Sequence, residues 1–174
     1  PRGRDDDQRR FLKDGEFTYE AWVEGLKAGR TFVSNGPVLD FSVEGRDPGA
    51  VIRLKGPGRV RVKGGFRSAD PVASLVLVRD GEVVGEAELG DGALSGAIEE
   101  EVGFERSGWV ALRAAGPPNE RSMMRPMGAH TSPVYVEVAG RPADSAKDAA
   151  FFLAWIDRLE AGLRERDRIP ADEV

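Results

Sequence analysis

The most reactive side chain that this sequence offers is a single histidine, His130. Histidine is the side chain whose unperturbed pKa lies closest to neutrality, so it is the first candidate for acid–base or metal chemistry. Zinc sites take three or four nitrogen, sulfur or oxygen ligands. The chain has no second histidine and no cysteine. His130 could therefore bind a metal only together with carboxylates such as Glu137 or with ligands from elsewhere. A hydrogen-bonded structural role and a role in lining a site both stay open.

No nucleophilic or phosphate-binding motif is complete in this chain. Ser95 and Ser107 each have a neighbouring glycine but lack the Gly-x-Ser-x-Gly elbow of serine hydrolases. Gly56-Pro57-Gly58 is not followed by the Lys-Ser or Lys-Thr of a phosphate loop, and its proline removes an amide donor. Both features are typical of turns. The sequence predicts no catalytic residue and no metal ligand of its own.

The longest stretch without a periodic pattern, Ala115 to Ser132, contains the remaining candidates for binding. It holds Arg121, Arg125 and His130, which we predict as a site-lining set. Arginines can bind anions through paired hydrogen bonds, and long loops in compact domains are often functional. A solvated, mobile loop is the alternative interpretation of the same residues.

Composition restricts the fold and the partners. The 174 residues include 22 glycines and 11 prolines, which implies many turns, as in all-β proteins. A net charge of −5 argues against a general nucleic-acid binder. No apolar run reaches the roughly 20 residues of a membrane helix. We expect neither nucleic acid nor membrane as a partner. The location stays unknown: the cytoplasm is the default, and a removed secretion signal would leave no trace.

Short alternating runs after Pro37 predict a β-sandwich. Asp80-Gly81 between two apolar runs predicts a tight hairpin, since these residues accept positive φ values. The triplet Glu99-Glu100-Glu101 predicts an edge strand, where charge discourages unwanted pairing. The eight predicted strands are Val38–Val43, Ala50–Leu54, Arg59–Lys63, Ser74–Arg79, Val83–Leu89, Leu94–Val102, Gly108–Ala114 and Val134–Val138.

A helix is predicted on each side of these strands. Thr18 can cap the first helix and Gly29 can end it in the left-handed conformation. The second helix is expected to begin after Pro142, capped by Asp144 or Ser145, and to end before Pro170. It should pack on the sandwich or on a neighbouring chain. The apolar positions that repeat at helical spacing are Tyr19, Trp22, Val23 and Leu26 in the first helix, and Ala149, Phe152, Leu153, Ile156, Leu159 and Leu163 in the second. The predicted fold is thus mainly β, an immunoglobulin-like sandwich flanked by an N-terminal and a C-terminal helix.

The first helix and the hinge after it carry a family resemblance. Ala21–Ala28 followed by Gly29–Pro37, which reads Gly-Arg-Thr-Phe-Val-Ser-Asn-Gly-Pro, resembles the C-terminal part of metallohydrolases of the PHP (polymerase and histidinol phosphatase) superfamily. The resemblance is to the branch that includes carbaryl hydrolase. Three later stretches fit the same pattern, namely Leu75–Val84, Ser107–Ala114 and Ala129–Val136.

The resemblance implies an accessory domain of such a hydrolase. In the family, histidines and acidic residues of a preceding barrel-like domain bind divalent zinc, manganese or iron, and this chain has no His-x-His motif. The resemblance implies three regions. Residues 1–36 comprise a tail, the last helix of the barrel and the hinge. Residues 37–141 form the sandwich, and residues 142–174 form a C-terminal helix with a charged tail. The barrel of the same protein is the implied partner. The hinge residues expected to face it are Arg30, Thr31, Ser34 and Asn35.

Two other functions remain open. An independent β-sandwich module could bind carbohydrate or peptide through the Ala115 to Ser132 stretch or through Trp109. The chain could instead be an enzyme by itself, with His130 and carboxylates such as Glu137 holding a metal. A homo-oligomer is a further expectation. The substrate of any parent enzyme is not indicated by the sequence.

Overall fold

The computed structural model describes residues 18–120, 122–143 and 146–166. Arg121, the predicted cap residues Asp144 and Ser145, and Pro170 lie outside these ranges. The chain forms two compact units that divide after Ala143. Within the described residues, the first unit contains one helix and ten strands, and the second contains one helix.

The elements of the first unit follow one another with short connections. Helix α1 spans Tyr19–Lys27. The strands are β1 (Phe32–Ser34), β2 (Val38–Val43), β3 (Val51–Leu54), β4 (Gly58–Arg67), β5 (Ser74–Arg79), β6 (Glu82–Glu86), β7 (Ser95–Phe104), β8 (Gly108–Gly116), β9 (Met127–Thr131) and β10 (Val134–Val138).

The strands form two sheets, and the prediction of an immunoglobulin-like sandwich is confirmed. The smaller sheet has the order β2-β4-β7. The larger sheet has the order β1-β9-β8-β10-β3, and β5 pairs with β8 and carries β6 on its other side. All pairings are antiparallel except that of β3 with β10, which is parallel. One long strand, β8, therefore pairs with β5 along one edge and with β10 and then β9 along the other.

The core lies between the two sheets and follows from strand alternation. In β2 every second residue is buried, because successive side chains point to opposite faces. Strand β5 differs, since its four central residues Leu75–Val78 are all buried. The largest fully buried side chains include Phe104, Leu75, Leu77, Leu112 and Met127.

Two local predictions about the sandwich are confirmed. Asp80 and Gly81 have φ values of 50° and 90° and join β5 to β6 as a tight turn. Strand β7 is an edge strand of the smaller sheet. On its outer face Glu99 and Glu101 pair with basic residues of β4, with nitrogen–oxygen distances of 3.1 and 3.4 Å. Glu100 is the residue that breaks the apolar alternation, since it is exposed at a position that belongs to the core face of the strand.

Two strands were not predicted, and the prediction of one long loop from Ala115 to Ser132 is wrong. Strand β8 continues to Gly116, and Met127–Thr131 forms β9 between β8 and β1. The β9 sequence Met-Gly-Ala-His-Thr has only one β-branched residue, so its local preference for a strand is weak. Pairing with strands on both sides makes it a strand. The predicted hinge likewise contributes Phe32–Ser34 to this sheet as β1.

Helix α1 begins and ends as predicted. The Thr18 hydroxyl accepts a hydrogen bond from Ala21 N at 3.1 Å, and Gly29 after the helix has a φ of 70°. The C-terminal end of the helix contacts the turn between β2 and β3. A Cβ built on Gly49 in this turn would lie 1.8 Å from the Ala28 carbonyl oxygen. The backbones of helix and turn therefore touch.

The second unit contains helix α2, Ala146–Glu165. Its apolar side chains recur at spacings of three and four residues, as predicted for an amphipathic helix. The Arg164 guanidinium pairs with the Glu160 carboxylate one turn away at 2.7 Å. Among the described residues, neither helix has the length and apolarity needed to cross a bilayer.

Candidate functional site

An open cleft of about 470 Å³ lies on the larger sheet beside β1. Strands β1, β9 and β8 form it together with the segment that leads into β9. Its lining includes Ser34, Asn35, Arg113, Gly128 and His130, with Val33 and Pro126 as apolar walls. Three of the seven predicted site residues, Ser34, Asn35 and His130, therefore meet in one place. They are almost a hundred residues apart in sequence, and the β1–β9 pairing brings them together.

Strand register explains which side chains share the cleft. Val33 of β1 lies opposite His130 of β9, and His130 lies opposite Arg113 of β8. Side chains of directly opposed residues project to the same face, with Cβ atoms about 4.5–5.5 Å apart. The imidazole thus has an aliphatic neighbour on one side and a guanidinium neighbour on the other.

His130 is half-buried and has one hydrogen bond from its ring. Its Nδ1 lies 2.7 Å from the Thr131 carbonyl oxygen. A carbonyl oxygen can only accept, so this bond requires a proton on Nδ1. Nε2 is then the nitrogen available to a ligand, as a lone pair in the neutral ring or as a donor in the imidazolium.

Asn35 fixes the chain after β1 to the start of β9. Its Oδ1 accepts from Gly128 N at 2.7 Å, and its Nδ2 donates to the Pro126 carbonyl at 3.1 Å. The Asn35 backbone N–H also donates to the Gly128 carbonyl at 3.2 Å. The side-chain amide thus continues the hydrogen bonding of the β1–β9 pair past the end of β1. Its donor and acceptor groups are used to build the cleft.

The other predicted hinge residues differ in their surroundings. Ser34 Oγ donates to the Pro37 carbonyl at 2.5 Å and accepts from Gly36 N at 2.9 Å, which stabilises the turn into β2. Thr31 Oγ1 lies 2.7 Å from Ser132 Oγ. Arg30 is half-buried, and its Nε is a buried donor without a hydrogen-bond acceptor among the described residues. Of the predicted hinge set, only Arg30 retains an unused polar group of this kind.

The arginine of the cleft is not one of those predicted. Arg125 is exposed and does not line the cleft, and Arg121 lies outside the described residues. Arg113 lines it instead. One signal could have identified it, because Arg113 is the only charged residue in the β8 sequence Gly-Trp-Val-Ala-Leu-Arg-Ala-Ala-Gly. Its guanidinium makes no hydrogen bond or ion pair with a described residue.

A metal site built on His130 finds little support in the geometry. Glu137, the carboxylate considered for it, lies on β10 and accepts a hydrogen bond from Arg53 Nε at 3.0 Å. Among the described residues, no three histidine, cysteine or acidic side chains lie close enough to hold a metal ion. The described residues that line the cleft include no acidic side chain and no phenylalanine, tyrosine or tryptophan. These residues therefore supply neither carboxylate ligands nor an aromatic platform for sugars.

Comparison of the chain with protein-family models, with curated proteins and with solved structures finds no match. The residues and their geometry are therefore the basis for assigning a function.

Replacing Asn35 with alanine tests how the cleft is held together. We expect Asn35→Ala to lower the free energy of unfolding by about 1–2 kcal/mol, since two hydrogen bonds at an exposed site are lost. Urea titration measures this change. Amide hydrogen exchange at Gly128 should accelerate, because its N–H loses the acceptor Asn35 Oδ1. Exchange at Val62, in the smaller sheet, is the internal control. An unchanged exchange rate at Gly128 would show that the Asn35 side chain does not fix this edge.

Proposed function

We propose that this chain is the accessory domain of a PHP-type metal-dependent ester or phosphoester hydrolase. In this proposal α1 and the hinge join it to the catalytic barrel of the same protein. The barrel holds the divalent metal, zinc, manganese or iron, and activates a metal-bound water for hydrolysis. The sandwich supports the barrel and shapes access to its site. The sequence resemblance in α1 and the hinge is the origin of this proposal.

The observation that carries it is the exposed apolar face of α1. Tyr19, Trp22 and Leu26 are 72%, 48% and 46% exposed and lie at spacings of three and four residues. The Tyr19 and Trp22 rings are neighbours, with centroids 6.1 Å apart. Two large aromatic side chains beside a leucine form a surface that a protein partner can cover. Docking against a barrel would bury it.

The path from α1 to the sandwich is short and tightly bonded. The Arg30 backbone N–H donates to the Gly25 carbonyl at 3.0 Å, and the Ser132 N–H donates to the Thr31 carbonyl at 2.8 Å. The helix end touches Gly49. A partner bound to α1 would therefore have a fixed orientation relative to the sandwich. This is what a domain that shapes access to another domain's site requires.

Arg30 lies just after α1 and is half-buried. Its Nε is buried without an acceptor among the described residues, which costs stability. In this proposal a carboxylate of the barrel pairs with the terminal nitrogens of the same guanidinium. This expectation also agrees with the prediction that Arg30 faces the catalytic domain.

The test begins with the coding sequence upstream of Pro1, which should encode a barrel with several histidines at metal-ligand spacing. In the protein expressed from the whole reading frame, Trp22→Glu should reduce hydrolysis of p-nitrophenyl esters or bis-p-nitrophenyl phosphate by at least about tenfold. Loss of a well-packed aromatic anchor at an interface costs about 2 kcal/mol or more. Bound metal, measured by elemental analysis, should stay the same.

Tyr135→Glu is the matched control, since Tyr135 is an exposed aromatic residue on β10 with 41% exposure. It should leave activity unchanged. An upstream sequence without a histidine-rich barrel would overturn the proposal. Equal loss of activity in the two variants would show that α1 has no special part in the contact.

A further inference from the structure

We propose that the cleft beside β1 is a binding site for a small organic anion, a phosphate monoester or a carboxylate with an apolar body. Arg113 and His130 would contact the anionic group, and Val33 and Pro126 would contact the apolar body. This inference concerns the sandwich alone and does not depend on the proposed parent enzyme.

Charge is the first argument. The described chain places a guanidinium and an imidazole directly opposite each other on β8 and β9. No acidic residue lines the cleft, and Arg113 has no ion-pair partner among the described residues. The whole chain carries a net charge of −5. Elsewhere on the sheets exposed arginines pair across strands, as Arg53 does with Glu137 and Arg59 with Glu101. Arg113 has no such partner in the part of the chain that the structure describes, and a bound anion would provide one.

The hydrogen-bonding state of His130 is the second argument. Its Nδ1 is held by the Thr131 carbonyl, so the ring has a fixed orientation and one available nitrogen, Nε2. A nearby anion favours the protonated imidazole. Nε2 would then donate to the anion beside the Arg113 guanidinium, whose planar fork suits carboxylate and phosphate oxygens. Of the elements that flank His130, β8 contributes the charge of Arg113 and β1 contributes the uncharged Val33.

Space is the third argument. Gly128 lies two residues before His130 on β9, so the two residues belong to the same face. A Cβ added to Gly128 would meet no atom within 4 Å, and its φ is not in the left-handed region. The floor of the cleft is therefore open at this point. Ligand sites combine such concave, mostly apolar surfaces with a few polar groups.

The experiment titrates the chain with phenyl phosphate and with benzoate and follows amide and imidazole shifts by NMR. We expect saturable shifts centred on Gly128 and His130. The probe that binds with the lower Kd identifies the anionic group as phosphate or carboxylate. Benzyl alcohol, which has the same ring without the charge, should give no saturable shift.

Three variants separate charge from shape. Arg113→Gln should raise the Kd about tenfold or more, as expected for a lost charge-assisted hydrogen bond. His130→Gln should raise it about threefold to tenfold for the same reason. Gly128→Val fills the floor without removing a charge and should abolish binding. Its backbone N–H still donates to Asn35, so its folding can be verified by the dispersion of the amide spectrum.

Arg61→Gln is the matched control, since Arg61 is an exposed strand arginine on β4 of the other sheet. It should leave the Kd unchanged. The proposal is overturned if neither anion gives saturable shifts at the cleft. It is also overturned if Arg113→Gln and Arg61→Gln weaken binding equally, since attraction by overall charge would then explain the shifts.

Discussion

Substituting alanine for Gly49 should cost about 2–4 kcal/mol of unfolding free energy and displace the end of α1 from the sandwich. Gly49 has a φ of 84°, a conformation that costs a residue with a Cβ about 1–2 kcal/mol. The new Cβ would also lie 1.8 Å from the Ala28 carbonyl oxygen, a separation that neither backbone can tolerate. The helix or the turn must move. Thermal and urea unfolding measure the loss, and the indole N–H signal of Trp22 in the NMR spectrum reports the helix.

Gly45→Ala is a matched control for this prediction, because it lies in the same β2–β3 connection. Its φ of 70° is also left-handed, but a Cβ there would meet nothing within 4 Å. It should show only the conformational cost of about 1–2 kcal/mol. Equal losses in the two variants would mean that the helix contact at Gly49 contributes nothing to stability.

The Gly49 variant also bears on the proposed function. If α1 positions a catalytic barrel relative to the sandwich, displacing the helix end should lower hydrolysis in the protein from the whole reading frame. Gly45→Ala should not have this effect. Binding of phenyl phosphate or benzoate in the cleft involves other strands and should survive Gly49→Ala at temperatures where the sandwich stays folded. Gly49→Ala therefore distinguishes the two proposals, because it should lower hydrolysis and leave anion binding in the cleft intact.

Truncation of Leu112 should give the second large effect, a loss of about 2–5 kcal/mol in unfolding free energy. Leu112 is fully buried on β8 and reaches across the core to the smaller sheet. A Cβ built on Gly64 of β4 would lie 2.6 Å from Leu112 Cδ1 and 2.9 Å from Cδ2. The leucine thus fills the space that the glycine leaves. Leu112→Ala removes these contacts and creates a cavity between the sheets.

The pair of residues allows a double-mutant test. Gly64→Ala alone should destabilise by about 1–3 kcal/mol, since it overpacks this contact. In the Leu112→Ala background the same change should cost less, or restore stability, because the added methyl enters the cavity. A favourable coupling energy of about 0.5–3 kcal/mol is expected. Additive effects would show that the two side chains do not share this space. Urea titration of the four proteins gives the result.

Two of the hinge residues that were expected to face a catalytic domain have a structural role in the sandwich. Ser34 and Asn35 use their polar atoms to hold the turn into β2 and the start of β9. They position the cleft, while Arg113 and His130 supply the charge and the available nitrogen. Asn35→Ala should consequently weaken ligand binding by changing the geometry of the cleft, and Arg113→Gln should weaken it by removing a charge. NMR titration of both variants distinguishes these effects.

The sequence by itself determined the local features of this protein. Asp80-Gly81 specified the β5–β6 turn because few residues accept positive φ, and Thr18 and Gly29 specified the limits of α1. The alternation of apolar residues specified most strands and the sandwich, since one face of each strand must be buried. These features depend on neighbours within a few residues, which a sequence shows directly.

Only the tertiary structure decided where β9 and the cleft are. Met-Gly-Ala-His-Thr has a weak preference for a strand, and pairing with β8 and β1 supplies the hydrogen bonds that make it one. The meeting of Asn35, Arg113 and His130 depends on the register of strands far apart in sequence. The sequence pointed to His130 by its chemistry, but the cleft takes its arginine from β8 and not from the predicted Arg125. Register selects Arg113, because it places this guanidinium, which has no ion-pair partner among the described residues, directly opposite the imidazole.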